Sequence, residues 1–305
     1  MRQFLFKAFM QIVPVLFLIS LIVFLLVHVS GDPVSLMLPD TATAEDRHAL
    51  TVALGLDQPL YTQYFKFVGH MLQGDFGKSF RYNEAALPIV LDRLPATFEL
   101  AFAAMVVATV IAIPLGIISA TKRNSFWDVL ATGASVLGKA MPHFWLGIMF
   151  ILLFSVKLGM FPVSGRGTFA HLVLPAITLG TGIAAEMTRL IRSSMLEILG
   201  QDFIRTARSK GLGERFVIYK HAFRNSLIPV VTIMALQIST LISGALITEA
   251  IYAWPGMGQL VIQAVNTRDM AIVQAAVMVI ALLVILSNML ADFIYRLLDP
   301  RIKFN

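Results

Sequence analysis

Few residues of this 305-residue chain are placed to do covalent chemistry. Cysteine is absent, which removes disulfides, thiol catalysis and thiolate metal ligation. His28, His48, His70, His143, His171 and His221 lie far apart without metal-ligand spacing, so no metal site is read. Glu99, Glu186 and His143 could serve as acid or base, yet they form no convergent motif, and no catalytic residue is assigned. The phosphate-cradling pattern Gly-x-x-x-x-Gly-Lys-Ser/Thr is missing, so the chain does not hydrolyse ATP through a P-loop. What stands out instead is a basic stretch, Gly200 to Pro229, suited to non-covalent docking. Asp202 reads as an N-cap, Phe203 to Lys210 as a short helix and Gly211 as its stop. Phe203 and Ala207 fall on one face with Ile204 beside them, while Arg205, Arg208 and Lys210 form a charged rim. A short helix with an apolar stripe needs a surface to dock against.

The elements that hold this stretch are apolar. With 57% hydrophobic and 14% charged residues, concentrated in long runs, the chain reads as an all-α integral membrane protein. The charge of +6 is explained by basic residues flanking span ends, so no nucleic-acid partner is read. Val13 to Val29 is longer than a signal-peptide core, and no small-x-small site follows, so an uncleaved first span is expected. Gly31-Asp32-Pro33 breaks it. Five more spans are expected near Phe98–Ala120, Val129–Val156, His171–Leu190, Leu227–Ile251 and Ala271–Leu290, six in all. The third is interrupted by Lys139, Pro142 and His143. This divides the chain into residues 1–30, a small extracytoplasmic segment at 31–97, and a core at 98–305 that contains a cytoplasmic loop at 192–226. Within the outer segment, Leu60, Tyr61, Tyr64, Phe65, Val68, Met71 and Leu72 recur at helical spacing, on the membrane surface or packed against the spans. Six spans put both termini on one side. Fifteen Lys and Arg then fall on that side against three in the short loops opposite, which places both termini in the cytoplasm.

Charge within a span is expensive and points to function. Lys139 and Glu186 lie at similar depth on the third and fourth spans, and pairing near the inner mouth is expected; separate snorkelling of Lys139, or a Glu186–Arg189 pair, is the alternative. Glu99 reads as interfacial, and Gln237, Asn288 and Asp292 as interhelical hydrogen-bonding groups. Asp128 and Glu214 read as caps or solvated charges. Trp254-Pro255-Gly256-Met257-Gly258 reads as a turn with an interfacial aromatic.

Asp202-Phe203-Ile204-Arg205-Thr206-Ala207-Arg208-Ser209-Lys210-Gly211-Leu212, followed by His221-Ala222-Phe223-Arg224-Asn225-Ser226-Leu227-Ile228-Pro229, resembles the cytoplasmic signature of binding-protein-dependent ABC importer permeases, in the peptide, nickel and glutathione branch. The general signature has Glu-Ala where Arg205 and Thr206 stand, whereas Ala207 and Gly211 keep its alanine and glycine at the right gap. Gly55-Leu56-Asp57-Gln58-Pro59-Leu60, Gly74-Asp75-Phe76-Gly77, Leu174-Pro175-Ala176, the Trp254 turn and Asp299-Pro300-Arg301 extend the resemblance along most of the chain. It implies a type I importer permease subunit in a bacterial inner membrane. The implied partners are a second homologous permease, two cytoplasmic P-loop ATPases carrying ATP and Mg, an extracytoplasmic binding protein and surrounding lipid; the chain itself would bind no cofactor. Asp202, Phe203, Arg205, Thr206, Ala207, Arg208, Lys210 and Gly211 would form the ATPase-coupling site, with Ala207 allowing close approach and the basic residues meeting acidic groups. The outer segment and the Trp254 loop would meet the binding protein. Short peptides are the implied cargo, with nickel or glutathione as alternatives. An intramembrane enzyme and a secondary transporter are rival classes, though no inverted repeat or broken-helix pair is evident.

Overall fold

The computed structural model describes residues 2–29, 38, 43–53 and 55–298. Both Gly31-Asp32-Pro33 and Asp299-Pro300-Arg301 lie outside the described residues. Among the described residues the chain is helical, with one isolated antiparallel bridge between Lys78 and Ala85 and no strand. In chain order the helices are α1 (Arg2–Val29), α2 (Ala44–Ala53), α3 (Leu60–Leu72), α4 (Ala86–Leu91), α5 (Leu94–Thr121), α6 (Phe126–Ala140) and α7 (His143–Phe150), which runs on into a π-helical segment at Ile151–Lys157. After them come α8 (Phe169–Leu199), α9 (Asp202–Ser209), α10 (Glu214–Phe216) with a π-helical segment at Val217–Phe223, α11 (Arg224–Ile251), α12 (Met257–Asn266) and α13 (Met270–Leu298).

The chain forms two compact units. One comprises Met1–Leu94 and Gln259–Ile285. There the expected amphipathic helix is α3, and it packs on α1: the buried Tyr64 hydroxyl shares a 2.9 Å hydrogen bond with Ser20, and its ring meets Phe17 and Phe24 edge-on. Phe67, Val68 and Met71 of α3 are half-buried, while Leu60, Tyr61, Phe65 and Leu72 remain exposed. Ser79 donates to Asp269 at 2.5 Å, tying the loop after α3 to the α12–α13 turn.

The second unit comprises Pro95–Gly258 and Leu286–Asn305. Its core is a ladder of small residues on α5: Ala96, Ala104, Ala108, Ala112 and Ala120, four or eight apart, all turn inward together with Leu100. Spacing by four keeps them on one helical face and lets α8 approach closely. A side chain at Gly180 of α8 would come within 2.7 Å of the Ala104 carbonyl oxygen. Leu179, Ile183, Met187 and Ile191 of α8 fill the rest of that interface.

Among the described residues, four stretches are long and apolar enough to cross a membrane: Ala86–Thr121, Phe169–Leu199, Pro229–Ile251 and Met270–Ile294. The segment expected as one third span is instead a bent pair, Phe126–Ala140 and His143–Lys157, meeting at 104°. Met141 is extended (φ −76°, ψ 128°), the conformation favoured before a proline, and Pro142 lacks the N–H that would carry the helix on. A broken helix is therefore present where none was evident from the sequence.

Candidate functional site

The basic stretch follows α8 directly, after Gly200 and Gln201. Gln201 stands at the N-cap without a side-chain bond, and Asp202, expected as the cap, is instead the first helical residue, where its negative charge suits the helix dipole. At the other end Gly211 adopts φ +75°, which a side chain would resist. Its N–H reaches the Arg208 carbonyl at 2.9 Å and the Leu212 N–H reaches the Ala207 carbonyl at 3.4 Å, the paired bonds of a Schellman stop.

The faces of α9 differ from expectation. Ile204 and Ala207 are buried in the core cluster that also holds Met195, Val217 and Ala222. Ala207 was expected to permit approach of a partner; it is closed against its own chain. Arg208, expected to meet a partner's acid, forks onto Glu214 across the Gly211 turn, at 3.1 Å from Nε and 2.6 Å from the terminal nitrogen. This bond holds the Glu214 carboxyl below its ordinary value and raises Arg208. Asp202 faces Arg205 at 3.5 Å. The outward surface is thus Phe203 (41% exposed), Arg205, Thr206 and Lys210, with Leu212 and Phe216 beyond the turn.

Near the end of α8 lies a clamp that sequence reasoning missed. Asp128, expected as a cap or solvated charge, is buried; Arg192 donates to both its oxygens at 2.8 and 2.9 Å. Ser119 and the Asn124 N–H also donate to it. The cluster joins the end of α5, the α5–α6 turn and α8, seven residues before α8 ends. Sixty-four residues separate Asp128 from Arg192, so no local spacing announces the pair.

Midway along α8 and α11, Lys139 forms an ion pair with Glu186, and Gln237 donates to the other Glu186 oxygen. Three helices thereby share one polar centre, two residues before the α6–α7 break. His143, the first residue after the break, lies so close to Gly182 that a side chain there would come within 2.7 Å of the imidazole. Asn288 accepts from Ser239 at 2.6 Å, the interhelical bond expected of it.

At the end of this unit opposite α9, Glu249 of α11 is buried without having been singled out in the sequence. Thr97 and the Gly258 N–H donate to it at 2.7 and 2.6 Å. A carboxylate two residues from the end of an apolar run, just before a Gly-x-Gly turn, was the available signal. A side chain at Gly256 would overlap the Glu249 carboxylate. Trp254, expected as an interfacial aromatic open to a partner, is 1% exposed and donates to the Ala96 carbonyl at 2.8 Å. The indole is a keystone of the packed turn. Glu99, read as interfacial, pairs with Arg166, whose guanidinium lies over the Trp254 ring.

The chain matches the family described as binding-protein-dependent transport system inner membrane component over residues 112–304, and the N-terminal membrane component of such systems over residues 1–101. The dipeptide transport system permease protein DppB of Escherichia coli (strain K12) is 40% identical over 99% of each chain. The glutathione transport system permease protein GsiC of Escherichia coli (strain K12) is 38% identical over 100% of each. A solved chain of the MetNI methionine ABC transporter, inward facing, shares the fold with a TM-score of 0.56 at 20% identity, covering 69% of this chain and 96% of that one.

Proposed function

The chain belongs to the binding-protein-dependent transport system inner membrane components, and from that premise we propose that it is one permease subunit of an ATP-driven importer of short peptides. The observation that carries this reading is the full-length similarity to a dipeptide permease, which leaves no part of either chain unmatched beyond 1%. Glutathione is the second reading, supported by the similarly complete match to a glutathione permease. Glutathione is itself a short peptide, so one architecture serves both.

In this reading the chain is non-catalytic, multi-pass and embedded in an inner membrane by six spans, with both termini in the cytoplasm and residues 31–97 outside. A second homologous permease completes the pathway, an extracytoplasmic binding protein delivers cargo, and two cytoplasmic ATPases hold ATP and Mg. Helix α9 seats in an ATPase groove through Phe203, Arg205, Thr206 and Lys210. Burial of Ile204 and Ala207 and the Arg208–Glu214 fork hold α9 to the segment that follows it, and the Asp128–Arg192 clamp holds α8 to the α5–α6 turn. ATPase closure is then passed on as rigid-body motion of the spans.

The test is uptake of labelled dialanine, glutathione and nickel into proteoliposomes carrying the complete transporter copurified with this chain. ATP-dependent accumulation of dialanine or glutathione is expected. Accumulation of nickel alone, or of nothing, overturns the reading.

A further inference from the structure

The Lys139–Glu186 pair lies within segments apolar enough to cross a membrane. Glu186 lies near the middle of the 31-residue α8, and Gln237 at the middle of the 28-residue α11. Yet the pair is open: the lysine side chain is 51% exposed and the glutamate 29%. Facing lipid, such exposure would be strongly unfavourable, and charged groups inside membranes turn instead to a water-filled cavity or a protein surface. The helix break at Met141–Pro142, two residues from Lys139, supports the cavity. Irregular backbone at membrane depth is tolerated where it is buried in protein or lines water, and His143 on its far side is exposed. Only Glu186 is anchored from behind, by Gln237, while the flexible lysine stem is free to swing.

We propose that Lys139 and Glu186 form a cargo station in the translocation path, binding the two termini of a zwitterionic short peptide. This rests on the peptide-import reading above. The peptide ammonium replaces the lysine on the Glu186 carboxylate, and the released Lys139 ammonium takes the peptide carboxylate. One ion pair becomes two and the site stays neutral throughout. Two extended residues span at most about 7 Å, a separation the lysine stem can open. When the peptide leaves, the pair closes again and no unpaired charge remains in the membrane. A neutral or singly charged solute gains nothing from opening it.

Because the chain has no cysteine, Lys139→Cys introduces its single thiol. In proteoliposomes holding the complete transporter, a charged membrane-impermeant thiosulfonate should label Lys139→Cys, and dialanine under turnover should slow labelling by about fivefold or more. Labelling only by a lipophilic maleimide, or by neither reagent, places the pair against lipid or protein and overturns the inference. So does labelling that dialanine leaves unchanged. A second measurement compares uptake of dialanine with alanyl-alaninamide, which lacks the terminal carboxylate. The binding protein contributes the same factor to every variant, so the ratio reports the permease. It should fall by about tenfold in Lys139→Met and be retained in Lys139→Arg. An unchanged ratio in Lys139→Met overturns the station while leaving peptide import intact. Failure of the wild-type transporter to accumulate dialanine instead removes the reading on which the station rests.

Discussion

Replacing Arg192 by methionine tests whether the α5–α6 turn is clamped to α8. Asp128 is 4% exposed and takes donors from both Arg192 nitrogens, Ser119 and the Asn124 N–H. Removing the guanidinium leaves a carboxylate with neutral donors alone (Ser119, the Asn124 N–H and, at 3.4 Å, Thr132) and no countercharge. Deleting one partner of a buried pair costs about 3–5 kcal/mol. The Arg192 side chain keeps 29% exposure, so water reaches the pair and the lower end, about 3 kcal/mol, is expected. That is roughly 150-fold in the unfolding equilibrium. Asp128→Asn keeps the shape and should lose about 2 kcal/mol. The double variant leaves no charge buried, so its loss should fall short of the sum of the two single losses by about 1–2 kcal/mol. Unfolding of the purified chain in mixed detergent micelles, with SDS as denaturant and tryptophan fluorescence as readout, measures all three. A loss below about 0.5 kcal/mol for Arg192→Met, or strict additivity, refutes the clamp.

Further outcomes separate folding from docking along α9. Ile204→Ala should destabilise the chain by about 2–4 kcal/mol in the same unfolding assay, whereas the half-open Phe203→Asp should leave stability within about 0.5 kcal/mol and lose copurifying ATPase. Equal effects of the two on stability would contradict the assigned faces. Gly211→Leu forces a branched side chain into φ +75° and should cost about 1–2 kcal/mol, with reduced ATP-dependent uptake; unchanged uptake and ATPase retention would count against the Schellman stop as a coupling element. Gly256→Ala places a methyl on the Glu249 carboxylate and should cost about 1–3 kcal/mol, read in the same micelles. The Arg208–Glu214 fork has a pH signature. Because the folded Glu214 value is lowered, its contribution is complete above the ordinary carboxylate range and is lost as pH falls through the folded value. Hydrogen exchange in residues 208–216, corrected for intrinsic rates, should rise modestly on acidification. Glu214→Gln should abolish that change.

Local patterns carried much of this protein's architecture. The turn at Gly211, the amphipathic helix over Leu60–Leu72 and the apolar runs are each written within a few residues, because capping, helical periodicity and hydropathy are short-range properties. The Lys139–Glu186 pairing was also legible, since two charges at similar depth on neighbouring spans have few other partners. Which side of α9 is interior was not. Phe203 and Ala207 share a helical face in projection, yet packing buries Ala207 with Ile204, Val217 and Ala222 in the core and leaves Phe203 open.

Composition and the order of its motifs alone identified a helical membrane permease. Tertiary structure decided which charges are buried. Asp128 and Arg192, or Glu249 and Thr97, meet across 64 and 152 residues, and burial depends on the helices that converge around them. It also decided that the third apolar segment is two helices meeting at 104°, with Lys139 and His143 on either side of the break. Pro142 permits such a bend; α8 packs against both halves and α11 against the second.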